Sequence, residues 1–152
     1  MTADGTHVEM GEEGTEIPVF DALGGHAFFA SLVHGFYRRV ADDAALRPLY
    51  PEADLAPAAE RLRLFLEQYW GGPATYSERR GHPRLRMRHA SFPIDDAAAG
   101  RWLEHMRASL DEQALPAELD ALVWNYFTAA GAAMVNVAGE AADDVRRQAT
   151  ST

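Results

Sequence analysis

The sequence predicts an all-α protein. Apolar residues recur at spacings of three and four along separate stretches, which gathers them on one helical face in each. Breaks such as Gly24-Gly25 and Gly71-Gly72-Pro73 punctuate those stretches. No run of β-branched residues alternates with polar ones, as a half-buried strand would.

The elements follow in order. From Gly25 to Val40, the residues Phe29, Leu32, Val33, Phe36, Tyr37 and Val40 form one face. Asp42 to Tyr50 is short and ends at Pro51, which fits a single tight helical turn. From Leu55 to Trp70, the face is Ala58, Leu62, Phe65, Leu66 and Tyr69, with Glu60, Arg61, Arg63 and Glu67 mostly opposite. Residues 73–93 carry glycine and proline breaks and many polar groups, so they hold only a turn or two of helix. So long an irregular stretch in a compact chain signals function. Asp95 or Asp96 caps a helix to about Glu112, with Trp102, Leu103, Met106 and Leu110 inward and His105 exposed. Pro116 opens the last helix as a first-turn proline, and small residues from Ala129 to Ala133 let another helix come close.

Length and composition bound the function. A chain of 152 residues suits one domain. Residues 1–17 hold five acids and three glycines and read as a mobile acidic tail. Residues 139–152 read as a second flexible tail, leaving a folded domain at 18–138. The formal charge of -9 opposes nucleic acid as a partner. No apolar run approaches the length of a membrane span. Cysteine is absent, which removes disulfides, thiolate metal sites and cysteine nucleophiles and fits a reducing cytoplasm. The polar N-terminus lacks the pattern of a signal peptide.

Three groups of residues could carry chemistry. Arg79, Arg80, Arg84, Arg86 and Arg88 crowd one loop with His82 and His89, either as a solvated basic face or as an anion site. The six histidines show no metal-ligand spacing, and HExxH is absent, which argues against a zinc or di-iron enzyme. Tyr37, Tyr50 and Trp102 are hydrogen-bond donors on otherwise apolar faces. Each is a core residue with a polar partner, or a donor to a bound ligand. Nucleophile elbows, P-loops and dinucleotide fingerprints are missing.

The run LRLFLEQYWGGPATYSERRGHPRLRMRHASF, Leu62 to Phe92, strongly resembles the group II truncated haemoglobins of bacteria. So do FDALGG at Phe20 to Gly25, the pair Phe36-Tyr37, and LRPLYPEADL at Leu46 to Leu55. The resemblance spans about residues 18–138. It implies a two-over-two helical sandwich around haem b, with His89 as the iron ligand in the loop 73–93. It implies Tyr37, Tyr50 and Trp102 as distal residues that stabilise the ligand. Ala58, Leu62 and Phe65 would form distal walls, with Ala58 where many globins carry a histidine. Arg84 or Arg86 would meet the haem propionates. Ser91 stands where the family often has proline, a departure that touches the loop after the ligand.

The implied function is binding of oxygen, carbon monoxide, nitric oxide or peroxide, with slow release. Redox turnover would add nitric oxide detoxification or peroxidase-like activity and would need an electron donor of unknown identity. A homodimer is the candidate assembly. The competing readings are a gas sensor with a separate output partner and a haem-free helical interaction module.

Overall fold

The computed structural model describes residues 7–10, 15–80 and 94–135. Two compact units divide the chain. One is drawn from Met1–Tyr37 and Glu52–Pro83, the other from Arg38–Pro51 and Arg84–Thr152.

The first unit begins with an antiparallel hairpin, β1 (His7–Met10) and β2 (Thr15–Pro18), in which His7 pairs with Pro18 and Met10 with Thr15. The expected tail thus contains regular structure. Each strand has only four residues, too few to show an alternating pattern, and the sequence between them is Gly-Glu-Glu-Gly. Helix α1 (Val19–Leu23) ends at Gly24, whose φ of 114° lies in the left-handed region that glycine occupies without steric cost. Helix α2 (Gly25–Ala41) follows at once, with its residues to Tyr37 in this unit. Phe29, Leu32, Val33 and Phe36 are buried on the expected face, and Phe28 joins them by setting its ring edge-on to Phe29.

Helix α3 (Ala56–Tyr69) has Pro57 in its first turn, where a missing N–H costs nothing, and Asp54 accepts a bond from the Ala56 N–H at 2.9 Å. Ala58, Phe65 and Leu66 are buried as expected. Two positions differ from the periodic reading. Tyr69 is exposed, because Trp70, four residues beyond Leu66, takes the inward place with its larger apolar ring. Glu67 is buried rather than solvated. Its carboxylate is held by Arg63 Nη1 at 2.7 Å, with His26 Nδ1 3.2 Å away.

The Phe20 N–H donates to the Trp70 carbonyl at 2.8 Å, and the Phe20 ring stacks on Phe29. That ring also lies over Gly72, whose N–H returns to the Glu67 carbonyl at 2.7 Å. Helix α4 (Thr75–Arg80) hangs from α3 through Gln68, which accepts from the Ser77 N–H at 2.9 Å and donates to the Ser77 hydroxyl at 2.7 Å. Tyr76 buries its ring edge-on against Phe65.

The second unit holds the end of α2, a 3-10 turn at Arg47–Leu49, and helices α5 (Asp96–Glu112) and α6 (Ala117–Met134). Asp95 caps α5 by accepting from the Ala98 N–H at 2.8 Å. Pro116 sits one place earlier than expected, as the extended cap before Ala117. Leu103 lies over Gly131, Arg107 stacks on Trp124, and Arg107 also bonds Asp120 at 2.6 Å. These pairings run in opposite directions along the two helices, so α5 and α6 are antiparallel. Gly131 is the buried member of the small-residue run, while Ala129, Ala132 and Ala133 are exposed. Met106, Leu110, Val123 and Phe127 fill the space between, and Trp102 and Leu103 are half-buried.

A methyl group at Gly72 would come within 2.6 Å of the Phe20 ring and 2.8 Å of the Glu67 carbonyl oxygen. Gly72→Ala is expected to cost about 1–3 kcal/mol, the usual range for overpacking. Urea unfolding checks this through a lowered midpoint at unchanged slope. A midpoint equal to that of the unaltered protein would contradict the contact.

Candidate functional site

The first unit carries an apolar stripe on α3. Ala58, Leu62 and Phe65 stand four and three residues apart, which brings them to one helical face. Ala58 and Phe65 are buried and Leu62 is half-buried, so part of the leucine remains available to a ligand. Tyr37 is half-buried on α2 and sets its ring edge-on to Phe36 at 5.0 Å.

Tyr50 and Trp102 belong to the second unit. Tyr50 closes the 3-10 turn, with its N–H on the Arg47 carbonyl at 3.1 Å and its carbonyl accepting from Arg47 Nη1 at 3.0 Å. Trp102 lies on α5 with its ring edge-on to Phe127 at 5.7 Å, and its indole is half-buried. His89, Arg84 and Arg86 lie outside the described residues.

Between the Tyr50 segment and α5 lies a buried carboxylate that periodicity did not single out. Asp43 accepts from Arg101 Nε with both oxygens, at 3.1 and 3.0 Å, and its Oδ2 lies 2.6 Å from His105 Nε2. Its Oδ1 also accepts from the Ala45 N–H at 2.8 Å and the Leu46 N–H at 3.2 Å. A carboxylate only accepts, so His105 Nε2 carries the proton of that bond. These bonds, Arg101 first and His105 next, hold the Asp43 carboxyl far below the usual range against the opposing effect of burial. His105, expected to be exposed, is half-buried for this reason. Arg101 and His105 are one turn apart on α5, a spacing that could have flagged the pair had their partner been known. Nearby, Arg39 bonds Glu112 at 2.9 Å, which fixes the end of α2 to the end of α5.

The family model for bacterial-like globins matches residues 18–136. A group 2 truncated haemoglobin of Bacillus subtilis is 38% identical over 117 residues, covering 77% of this chain and 87% of that protein. The chain belongs to the group II truncated haemoglobins. Among solved structures, the thermostable haemoglobin of the actinobacterium Thermobifida fusca is 58% identical with a TM-score of 0.79, over 80% of this chain and 98% of that one. The truncated oxygen-avid haemoglobin from Bacillus subtilis is 37% identical with a TM-score of 0.73, over 78% and 98%.

The fold class of this truncated haemoglobin is accordingly the all-α two-over-two globin fold, and its work is haem-based binding of small gas ligands. The residues described fit such a group. A haem is broad, flat and largely apolar, and Ala58, Leu62 and Phe65 form an apolar stripe on α3 of which Leu62 is the half-buried member. Trp102 and Tyr50 carry N–H and O–H donors, which suit a ligand that accepts hydrogen bonds. Among the described residues, no helix is long and apolar enough to cross a membrane.

Because the Asp43 carboxyl is shifted downward, its bonds add stability fully above the ordinary aspartate value and lose it as pH falls further. Asp43→Asn is therefore expected to be less stable than the unaltered protein at neutral pH. The gap should narrow below about pH 4, near the unperturbed aspartate pKa. Urea midpoints measured for both proteins across that range check the sign. A gap that widens on acidification would refute it.

Proposed function

We propose that this truncated haemoglobin holds haem b through His89 and binds oxygen with slow release. Haem, when bound, supplies the iron that takes the diatomic ligand. A neutral His89 imidazole would face that iron, its second ring nitrogen seeking an acceptor that fixes its orientation. Arg84 or Arg86 would bond the propionates, for which a guanidinium fork is well shaped. Tyr50 and Trp102 would donate to the ligand, and Tyr37 would join or brace them. Ala58 would leave room on the distal side, bounded by Leu62 and Phe65.

The observation that carries this reading is Trp102. Its ring packs on Phe127 yet stays half-buried, and Tyr50 belongs to the same unit. An indole N–H can donate a hydrogen bond but not accept one, so it favours a ligand whose outer atom gains negative charge. A hydrogen bond to a charged partner contributes about 1.5–3 kcal/mol. Since roughly 1.4 kcal/mol is tenfold, two such donors would slow release a hundredfold or more. The Bacillus subtilis relative is oxygen-avid, in keeping with this expectation.

Slow release suits chemistry on the held ligand better than transport. Oxidation of nitric oxide, or peroxidase-like turnover with an external electron donor, is the reaction class we assign. Carbon monoxide, nitric oxide and peroxide are the other ligands of the site. The proposed location is the cytoplasm.

The optical spectrum tests the iron ligand. The purified ferrous protein is expected to show a strong Soret band that shifts with oxygen and with carbon monoxide, and His89→Ala to lose it or change it grossly. A folded, haem-supplied protein that stays colourless would end the proposal. Stopped-flow oxygen dissociation tests the donors. Tyr50→Phe and Trp102→Phe are each expected to release oxygen about tenfold faster or more. Unchanged rates in both would remove the two residues from the site.

A further inference from the structure

We propose that Asp43 is a positioning residue, which holds Tyr50 and Trp102 in register so that both donate to one ligand. This rests on the distal roles proposed above, and every contact it uses lies within the second unit.

The geometry has a local half and a long-range half. Locally, Asp43 organises the chain up to Tyr50. Its side chain takes the Ala45 and Leu46 N–H groups, and its carbonyl takes the Arg47 N–H at 2.8 Å. Arg47 in turn bonds both the N–H and the carbonyl of Tyr50. Asp43 thus ties down this segment twice, its carboxylate holding residues 45 and 46 and its carbonyl holding Arg47, which bonds the Tyr50 backbone. At long range, the same carboxylate is gripped by Arg101 and His105 of α5. Arg101 is the immediate neighbour of Trp102 in that helix. Two donors 52 residues apart in sequence are therefore referenced to one buried side chain.

The chemistry explains why a carboxylate stands there. Its two oxygens receive donors from four groups: a guanidinium, an imidazole and two backbone amides. An amide of the same shape has one acceptor oxygen and turns an NH2 donor toward N–H groups on one side or the other. Asp43→Asn therefore opposes the clamp while hardly changing volume. The clamp faces an open recess lined by Arg39, Asp42, Asp43, Arg101 and His105, so the altered segment has room to move away from α5.

The test uses the haem-loaded protein with carbon monoxide as a probe, whose stretching frequency reports nearby donors. The variants are Asp43→Asn, Tyr50→Phe, Trp102→Phe and the Asp43→Asn/Tyr50→Phe pair. Asp43→Asn is expected to shift the frequency in the direction of Tyr50→Phe and to speed oxygen release about five- to tenfold. The double variant is expected to match Tyr50→Phe within about twofold, because residues acting through one another are not additive. Amide hydrogen exchange, in both haem-free and haem-loaded protein, is expected to rise at 44–50 and stay unchanged in α6. If Tyr50→Phe and Trp102→Phe move the frequency and Asp43→Asn does not, the positioning role is overturned and the distal reading stands. If the double variant multiplies the two single effects, Asp43 acts by another route and the proposal is likewise overturned. If none of the variants moves the frequency, the distal reading falls and takes the proposal with it. Should Asp43→Asn fail to hold haem, Arg101→Gln, altered at the more exposed partner, carries the same expectations and the same refutations.

Discussion

The buried carboxylate of Asp43 cannot stand alone, since an unpaired charge inside a protein costs several kcal/mol. Its demand for donors draws together parts of the chain that have no local reason to meet. The turn at 43–46 closes on its Oδ1, and α5 approaches near enough for a guanidinium and an imidazole to reach it. Such a pair need not raise stability above that of an apolar replacement. It does penalise any arrangement that leaves one member unpartnered, and so favours a single geometry. In this globin that geometry covers the segment bearing Tyr50 and the helix bearing Trp102.

Most of the helical frame was legible because each helix answers to a short-range signal. The breaks at Gly24-Gly25 and Gly71-Gly72 and the cap at Asp95 mark ends that need no distant partner. The buried faces of α2 and α5 follow from spacing, and on α6 the buried Leu119, Val123 and Phe127 recur every four residues. The misses arise where neighbours in space override the pattern. Tyr69 yields to Trp70 because the Trp70 carbonyl also receives the Phe20 N–H, which fixes that residue against α1. Glu67 looks like a surface acid until Arg63 and His26 are placed around it. The hairpin at 7–18 rests on pairing between two very short segments, which carry little pattern of their own.

The proposed site was legible in a different way. His89 has no spacing that distinguishes it from five other histidines, and its assignment comes from the resemblance of the surrounding run to the truncated globins. Tyr37, Tyr50 and Trp102 were visible as donors among apolar residues, without a reason to choose them over Tyr69 or Tyr126. Asp43 was not visible at all. Its partners lie 58 and 62 residues away, beyond any helical period, and only folding reveals that they serve one carboxylate.

Among the described residues, each unit contains a buried acid tied to an arginine with a histidine beside it: Asp43 with Arg101 and His105, and Glu67 with Arg63 and His26. The hydration that charged groups give up on burial becomes less favourable with rising temperature, while the gain from apolar burial levels off. Warming therefore strengthens these two ionic ties relative to the apolar contacts around them. Near the melting point, the contacts that persist longest within each unit should be those around Asp43 and Glu67, so heat would loosen the packing of this globin before it releases its charged anchors.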